Sequence, residues 1–329
     1  MPNNYCNYIS HDIEAIDQNR AYLKSKDMEI GTPRRIYLEK MKKESFEQDR
    51  ERINIISHDV LFECIFSNVY RGYDKLYVFF SHGGGRSNES LFHRWTWYRY
   101  LPGITIHIED PMYKIYPNLK TGWFYGDVEH PYLLYLIDFV QKFAEVFTIE
   151  KKNIIFIGSS AGGYASLYCG DKIEGSISIA MNPQIRLQKR KDVKLFQETT
   201  GISLKEQDKY NRNNLSYILK NTETKFFISV NMESKGDFEV QLPFLTNKLK
   251  VPLRYPLTEI RNFFIFLNKI PIVNPHHACL LGNMIPFVEG IVRGDFTRDC
   301  KEYVSLFLAE SMFSDAMQKE KIVKLKGNT

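Results

Sequence analysis

The chain is most constrained by the run Asn153-Ile-Ile-Phe-Ile-Gly158-Ser159-Ser160-Ala161-Gly162-Gly163. A β-branched apolar stretch enters Gly-x-Ser-x-Gly and then a helix-like segment, residues 164–168. That order is the context of a nucleophile elbow, in which a serine sits on a strained turn between a buried strand and a helix. The flanking glycines let the backbone pass close to itself without a Cβ clash. The start of the following helix offers free N–H groups and a dipole that favours an oxyanion. Ser160 is therefore the candidate nucleophile.

Strands alternate with helices along the chain. Residues 52–57 and 60–67 read as two strands joined by a turn at Ser57-His58-Asp59. Residues 75–81, 104–108, 154–157, 175–180 and 225–230 read as further strands, and residues 132–147 as an amphipathic helix. Residues 238–248 read as a helix interrupted by Pro243, and periodicity leaves 253–273 open between strand and buried helix. Residues 278–292 and 301–318 read as helical. The alternation predicts a mostly parallel sheet covered by helices on both faces, with an antiparallel pair at its start. Such a sheet binds ligands at the carboxyl ends of its strands. The polar, basic region 185–220 reads as a small helical cap inserted between two strands. Residues 1–50, with a helical patch at 35–49, read as an N-terminal extension, 51–318 as the main domain and 319–329 as a basic tail.

A serine hydroxyl needs a base, an orienting acid and an oxyanion hole. In a fold of this type the triad runs Ser, Asp or Glu, His along the chain. The only histidines after the elbow are His276 and His277. His277 is preferred as base because small Ala278 follows it, with His276 as the alternative. For the acid, the strand at 225–230 opens into Asn231-Met-Glu233-Ser-Lys-Gly236-Asp237. Asp237 ranks first and Glu233 second, against a competing role for Asp237 as a helix cap. For the oxyanion hole, the strand at 75–81 opens into His82-Gly83-Gly84-Gly85. Backbone N–H groups of Gly83 and Gly84, with that of Ala161, are the expected donors. The aromatics Trp95, Trp97, Tyr98, Trp123 and Tyr125 fit a sugar-stacking platform or core packing equally well. Trp123 and Tyr125 are the substrate-binding candidates.

These motifs, over about residues 50–310, resemble the α/β-hydrolase superfamily. Within it, His82-Gly-Gly-Gly, Asp110-Pro111, Gly122-Trp123-Phe-Tyr-Gly126, the elbow and Pro275-His-His277 resemble bacterial capsular polysaccharide biosynthesis proteins and serine-triad glycan O-acetyltransferases. The resemblance implies acetyl transfer to a sugar hydroxyl, with acetyl-CoA as donor and capsule biosynthesis proteins as partners. Basic residues near Lys189 would meet the CoA. A carbohydrate esterase or carboxylesterase with the same triad is the first alternative, and a non-catalytic scaffold is the second.

Charge and cysteine usage narrow the classes. A net charge of +5 spread over the chain, with no nucleic-acid motif, argues against a nucleic-acid partner. Five widely spaced cysteines show neither metal-ligand spacing nor a disulfide framework, which suits a reducing compartment. No apolar run reaches the length of a membrane span, and the first twenty residues lack the apolar core of a signal peptide. A cytoplasmic protein without a metal is expected.

Overall fold

The computed structural model describes residues 33–83, 92–204, 208–250, 252–269, 276, 288, 291 and 292. Among them a ten-stranded sheet runs in the order β1-β2-β3-β5-β4-β6-β7-β8-β10-β9. The strands are β1 (Arg34–Tyr37), β2 (Arg50–Ser57), β3 (Val60–Ser67), β4 (Leu76–Phe80), β5 (Ile104–Ile108), β6 (Ile154–Ser159), β7 (Ile177–Met181), β8 (Lys225–Asn231), β9 (Leu257–Ile260) and β10 (Phe263–Asn268). The central run β5-β4-β6-β7-β8-β10 is parallel throughout. β3 joins it antiparallel, pairs antiparallel with β2, and β9 closes the other edge antiparallel.

Every residue of β4, β5, β6 and β7 is buried, which is why these strands read as continuous apolar runs rather than alternating ones. One face of the sheet packs on the helices Tyr132–Val146 and Ala161–Lys172, through Leu133, Leu136, Val140 and Phe143 of the first. The other face carries Tyr77, Phe79, Ile155, Ile157, Ile179 and Phe227, covered by Trp97, Leu101, Val288 and Ile291. The elbow helix lies close against the sheet because it is built from small residues on that side. Ser166 Oγ donates to the Phe156 carbonyl at 3.0 Å and meets Ser178 Oγ at 2.9 Å.

Three elements differ from the sequence reading. The helical patch expected at 35–49 is strand β1 followed by the short 3₁₀ turns Leu38–Lys40 and Lys43–Ser45. β1 pairs parallel with β2, so the end of the expected extension joins the sheet edge. The stretch left open at 253–273 holds β9 and β10. The helix expected at 238–248 is a π-helical segment, Gly236–Gln241, running into an α-helix, Pro243–Leu249. Pro243 opens that α-helix, where a missing N–H breaks no internal bond. The helices expected at 278–292 and 301–318 lie largely or wholly outside the described residues, except for helical Val288, Ile291 and Val292.

The insertion between β7 and β8 carries Leu187–Lys189, the α-helix Val193–Thr200 and the 3₁₀ helix Leu215–Lys220. It is pinned to the elbow helix through the Tyr164 hydroxyl on the Arg212 carbonyl and the Tyr168 hydroxyl on the Tyr210 carbonyl. Arg212, 1% exposed, donates to the carbonyls of Tyr125 at 2.6 Å and Asp127 at 2.7 Å and pairs with Asp208. The insertion is thereby tied to the loop after β5.

Candidate active site

β6 ends at Ser159, and Ser160 turns the chain into the helix Ala161–Lys172 with φ 54° and ψ −117°. Positive φ is costly for a residue with a Cβ and persists where the surroundings hold it. Here the Ser160 N–H donates to the Met181 carbonyl at 2.9 Å, and its own carbonyl accepts from Tyr164 N–H at 3.1 Å. Gly158 has no room for a side chain: a Cβ there would lie 2.1 Å from the Gly162 carbonyl oxygen. A Cβ on Gly162 would lie 2.8 Å from the Phe80 carbonyl oxygen. The turn therefore needs both glycines to hold the serine over the helix start.

Gln184 follows the parallel strand β7 and meets Ser160, Asp237 follows the parallel strand β8, and His276, which comes after β10 in the chain, lies between the serine and that aspartate. Nε2 of His276 lies 2.7 Å from Ser160 Oγ, and its Nδ1 lies 2.6 Å from Asp237 Oδ2. Asp237 is 2% exposed and also accepts from the Ser234 hydroxyl. Asp237 sits at the start of the π-helical segment and points at the histidine instead of capping a helix, since the residue preceding that segment is Lys235. A neutral imidazole protonated on Nδ1 fits both contacts: Nδ1–H donates to the carboxylate and Nε2 accepts from the serine.

The geometry brings one of the two candidate histidines to the serine. His276 meets Ser160, whereas His277 lies outside the described residues. It also separates the acids. Glu233 is exposed and lies 3.8 Å from Lys269 Nζ, whereas Asp237 meets His276.

Ala161 is the first residue of the elbow helix, where a backbone N–H has no intrahelical partner. Gly83 follows β4, packed so that a Cβ would lie 2.9 Å from Thr121 Oγ1 and 3.1 Å from the Lys120 carbonyl oxygen. Gly84 lies outside the described residues.

The proposed sugar platform is corrected. Trp123 is 0% and Tyr125 2% exposed, and Trp95 and Trp97 are each 1% exposed, so these rings are interior packing. Trp123 packs on Phe196 of the insertion, and Tyr125 is covered by the Arg212 guanidinium at 4.1 Å. Asp110 organises this loop: its carboxylate accepts from Phe124 N–H at 2.8 Å and Met112 N–H at 3.0 Å. Gly122 leaves room for it, since a Cβ there would lie 2.4 Å from Asp110 Oδ2.

Two residues escaped the sequence reading. Asn182, just past β7, has φ 41° and ties the site together. Its amide donates to the His276 carbonyl at 2.8 Å, its side-chain oxygen accepts from Asn231 N–H at 2.8 Å, and its own N–H reaches the Ser229 carbonyl at 2.7 Å. Gln184, two residues on, donates from Nε2 to Ser160 Oγ at 2.9 Å. The only signal for either was the turn-forming Asn182-Pro183 pair after a strand.

No protein-family model matches the chain, and no curated protein matches it. Solved structures do. The capsule O-acetyltransferase of Neisseria meningitidis serogroup A in complex with caged gadolinium is similar with a TM-score of 0.50 at 14% identity, over 72% of this chain and 95% of that one. A further structure of that capsule O-acetyltransferase gives 0.50 at 14% identity, over 70% and 91%. The S-formylglutathione hydrolase of Staphylococcus aureus gives 0.47 at 10% identity, over 74% and 98%. The chain thus has the α/β-hydrolase fold: a mostly parallel sheet with helices on both faces and a sharp strand–serine–helix turn after a central strand. Among the described residues no helix is long and apolar enough to cross a membrane, and no cluster of three or more His, Cys, Asp or Glu could hold a metal.

Proposed function

We propose that the chain is a serine-dependent acyltransferase that moves an acetyl group onto a hydroxyl of a capsular or other surface polysaccharide. The observation that carries the reading is the continuous chain of contacts Ser160 Oγ–His276 Nε2, 2.7 Å, and His276 Nδ1–Asp237 Oδ2, 2.6 Å, on a strained elbow.

In this reading His276 takes the Ser160 proton as Oγ attacks the thioester carbonyl of acetyl-CoA. Asp237 holds the ring and stabilises the imidazolium that forms. The backbone N–H groups of Ala161 and Gly83 meet the oxyanion, and that of Gly84, next in the sequence, is the further candidate donor. The tetrahedral adduct collapses, the C–S bond breaks, and the thiolate leaves with the proton from His276. A glycan hydroxyl then attacks the acetyl-serine, with His276 again acting as base. Arg186, Lys189 and Arg190, at the start of the insertion, supply positive charge for the phosphates of CoA. The capsule O-acetyltransferase named above supports the choice of acceptor. The buried, unpaired thiols of Cys64 and Cys169 fit work in a reducing cytoplasm.

A second reading, ester hydrolysis, rests on access. His276 keeps 22% of its side chain exposed, so water can reach the base. Intact-protein mass spectrometry with acetyl-CoA separates the two. An acetyl adduct on Ser160 that persists in water and discharges onto added capsule oligosaccharide is the expected result. Turnover of p-nitrophenyl acetate with no adduct from acetyl-CoA moves the assignment to an esterase. No Ser160 adduct and no turnover, in folded protein, refutes both readings.

A further inference from the structure

The nucleophile has a second side-chain partner that the triad does not require. Gln184 is 1% exposed and Trp123 0% exposed, and the two are hydrogen-bonded side chain to side chain through Trp123 Nε1 and Gln184 Oε1. An indole nitrogen can only donate. The amide oxygen of Gln184 must therefore face Trp123, and its NH₂ group must face Ser160 Oγ, 2.9 Å away. The backbone beyond Gln184 is held as well. The N–H groups of Ile185 and Arg186 both donate to Oε1 of Gln241, at 2.7 and 2.9 Å, and Gln241 is 1% exposed.

We propose that Gln184, locked by Trp123, is a further catalytic residue acting on Ser160 Oγ. The inference rests on the triad reading above. With Gln184 donating into Oγ, the serine hydroxyl is left to donate its own proton to His276 Nε2, so every hydrogen bond from Trp123 to Asp237 runs in one consistent direction. Its main effect falls on deacylation. The acceptor hydroxyl attacks the acetyl carbon and gives its proton to His276. The C–Oγ bond then breaks, Oγ keeps the electron pair, and the proton passes from His276 Nε2 to Oγ. The Gln184 N–H stabilises the charge on Oγ as that bond breaks. Trp123 acts through Gln184 and is a positioning residue.

Pre-steady-state kinetics with p-nitrophenyl acetate on the full chain test this. They give the nitrophenolate burst and the later steady rate, with the acetyl-Ser160 adduct followed by mass. Gln184→Leu removes the donor, and a hydrogen bond to a charge-bearing group corresponds to a loss of about 10- to 100-fold. The expected result is a deacylation rate lower by that factor, with acetyl-Ser160 accumulating. Trp123→Phe frees the amide to rotate and is expected to give a smaller loss of the same kind. Gln184→Glu keeps the shape, and its carboxylate at Ser160 Oγ, the atom that His276 Nε2 also meets, is expected to raise the pH midpoint for fluorophosphonate labelling of Ser160. A purely structural role would leave the acyl-enzyme level unmoved, and a side chain that does not reach Ser160 would leave that midpoint unmoved. Folded Gln184→Leu that deacylates at the wild-type rate overturns the proposal. If that variant does not fold, an unchanged pH midpoint in Gln184→Glu overturns it. Wild-type protein that never acylates at Ser160 overturns the triad reading itself, a separate result.

Discussion

Replacing Gly158 by alanine tests whether the elbow holds Ser160 by crowding. The added Cβ would lie 2.1 Å from the Gly162 carbonyl oxygen, 2.2 Å from its carbon and 2.8 Å from Gly163 N. All three atoms are backbone, in the first turn of the elbow helix, so no side chain can swing aside. Ordinary carbon–oxygen contact needs about 3.5 Å, so helix and strand must part by roughly an ångström. Overpacking of this kind costs about 1–3 kcal/mol, and the rigid neighbours place Gly158→Ala at about 3 kcal/mol. The displacement reaches Ser160 directly. A misplacement of about 1 Å costs on the order of a hundredfold in rate. Urea unfolding reads the stability, and fluorophosphonate labelling of Ser160 reads the geometry. Gly175→Ala is the control, because that glycine has φ +87° but a Cβ added there would meet nothing within 4 Å. It is expected to lose about 1 kcal/mol from backbone strain and to label normally. Wild-type stability and labelling in Gly158→Ala would refute the reasoning.

Three further outcomes are expected. Burial pushes the His107 imidazole down to about 3 from 6.5, with its Nε2 on the Arg94 carbonyl at 3.0 Å and its ring stacked on Phe79. The unfolded chain binds a proton below about pH 6.5 that the folded chain refuses. The contribution is therefore whole above that pH and is lost as pH falls toward 3, reaching about 2 kcal/mol at pH 5. Urea titrations at pH 5 and 7 should show that loss shrinking in His107→Phe, and an unchanged loss would contradict it. Arg212→Met leaves Asp208 charged and the Tyr125 and Asp127 carbonyls unpartnered, for a cost of about 3–5 kcal/mol; unfolding within 1 kcal/mol of wild type, roughly the size of a typical single-mutation effect, would show the tie to be idle. Asp237→Asn is expected to slow turnover by about 10⁴-fold through the wrong histidine tautomer, while Glu233→Gln leaves it unchanged; the reverse ranking would move the acid to Glu233.

The sheet was legible wherever burial made strands continuous. β4, β5, β6 and β7 are buried along their whole length, so their apolar runs stood out. β1 was not, because Arg34-Arg35-Ile36-Tyr37 carries charge, as an exposed sheet edge does, and only Ile36 of the four is buried. The elbow was readable because strand, glycines and helix are contiguous. The histidine was not, because His276 and His277 are adjacent in the sequence and nothing in the pattern separates them, whereas a contact in space joins His276 to Ser160. Trp123 and Tyr125 misled for a related reason. A cluster of aromatics looks the same in sequence whether it faces a ligand or the Arg212 and Phe196 side chains that cover it here. Gln184 carried no pattern, since its partners are 24 and 61 residues away along the chain.

The central claim is that Ser160 is a nucleophile activated by His276. The most direct measurement is the rate of fluorophosphonate modification, mapped to the modified peptide by mass spectrometry, in wild type, Ser160→Ala, His276→Ala and His277→Ala. The account predicts modification at Ser160 alone, none in Ser160→Ala, a loss of at least about a thousandfold in His276→Ala and near-wild-type labelling in His277→Ala. Wild-type labelling in His276→Ala, or a modified residue other than Ser160, would contradict it.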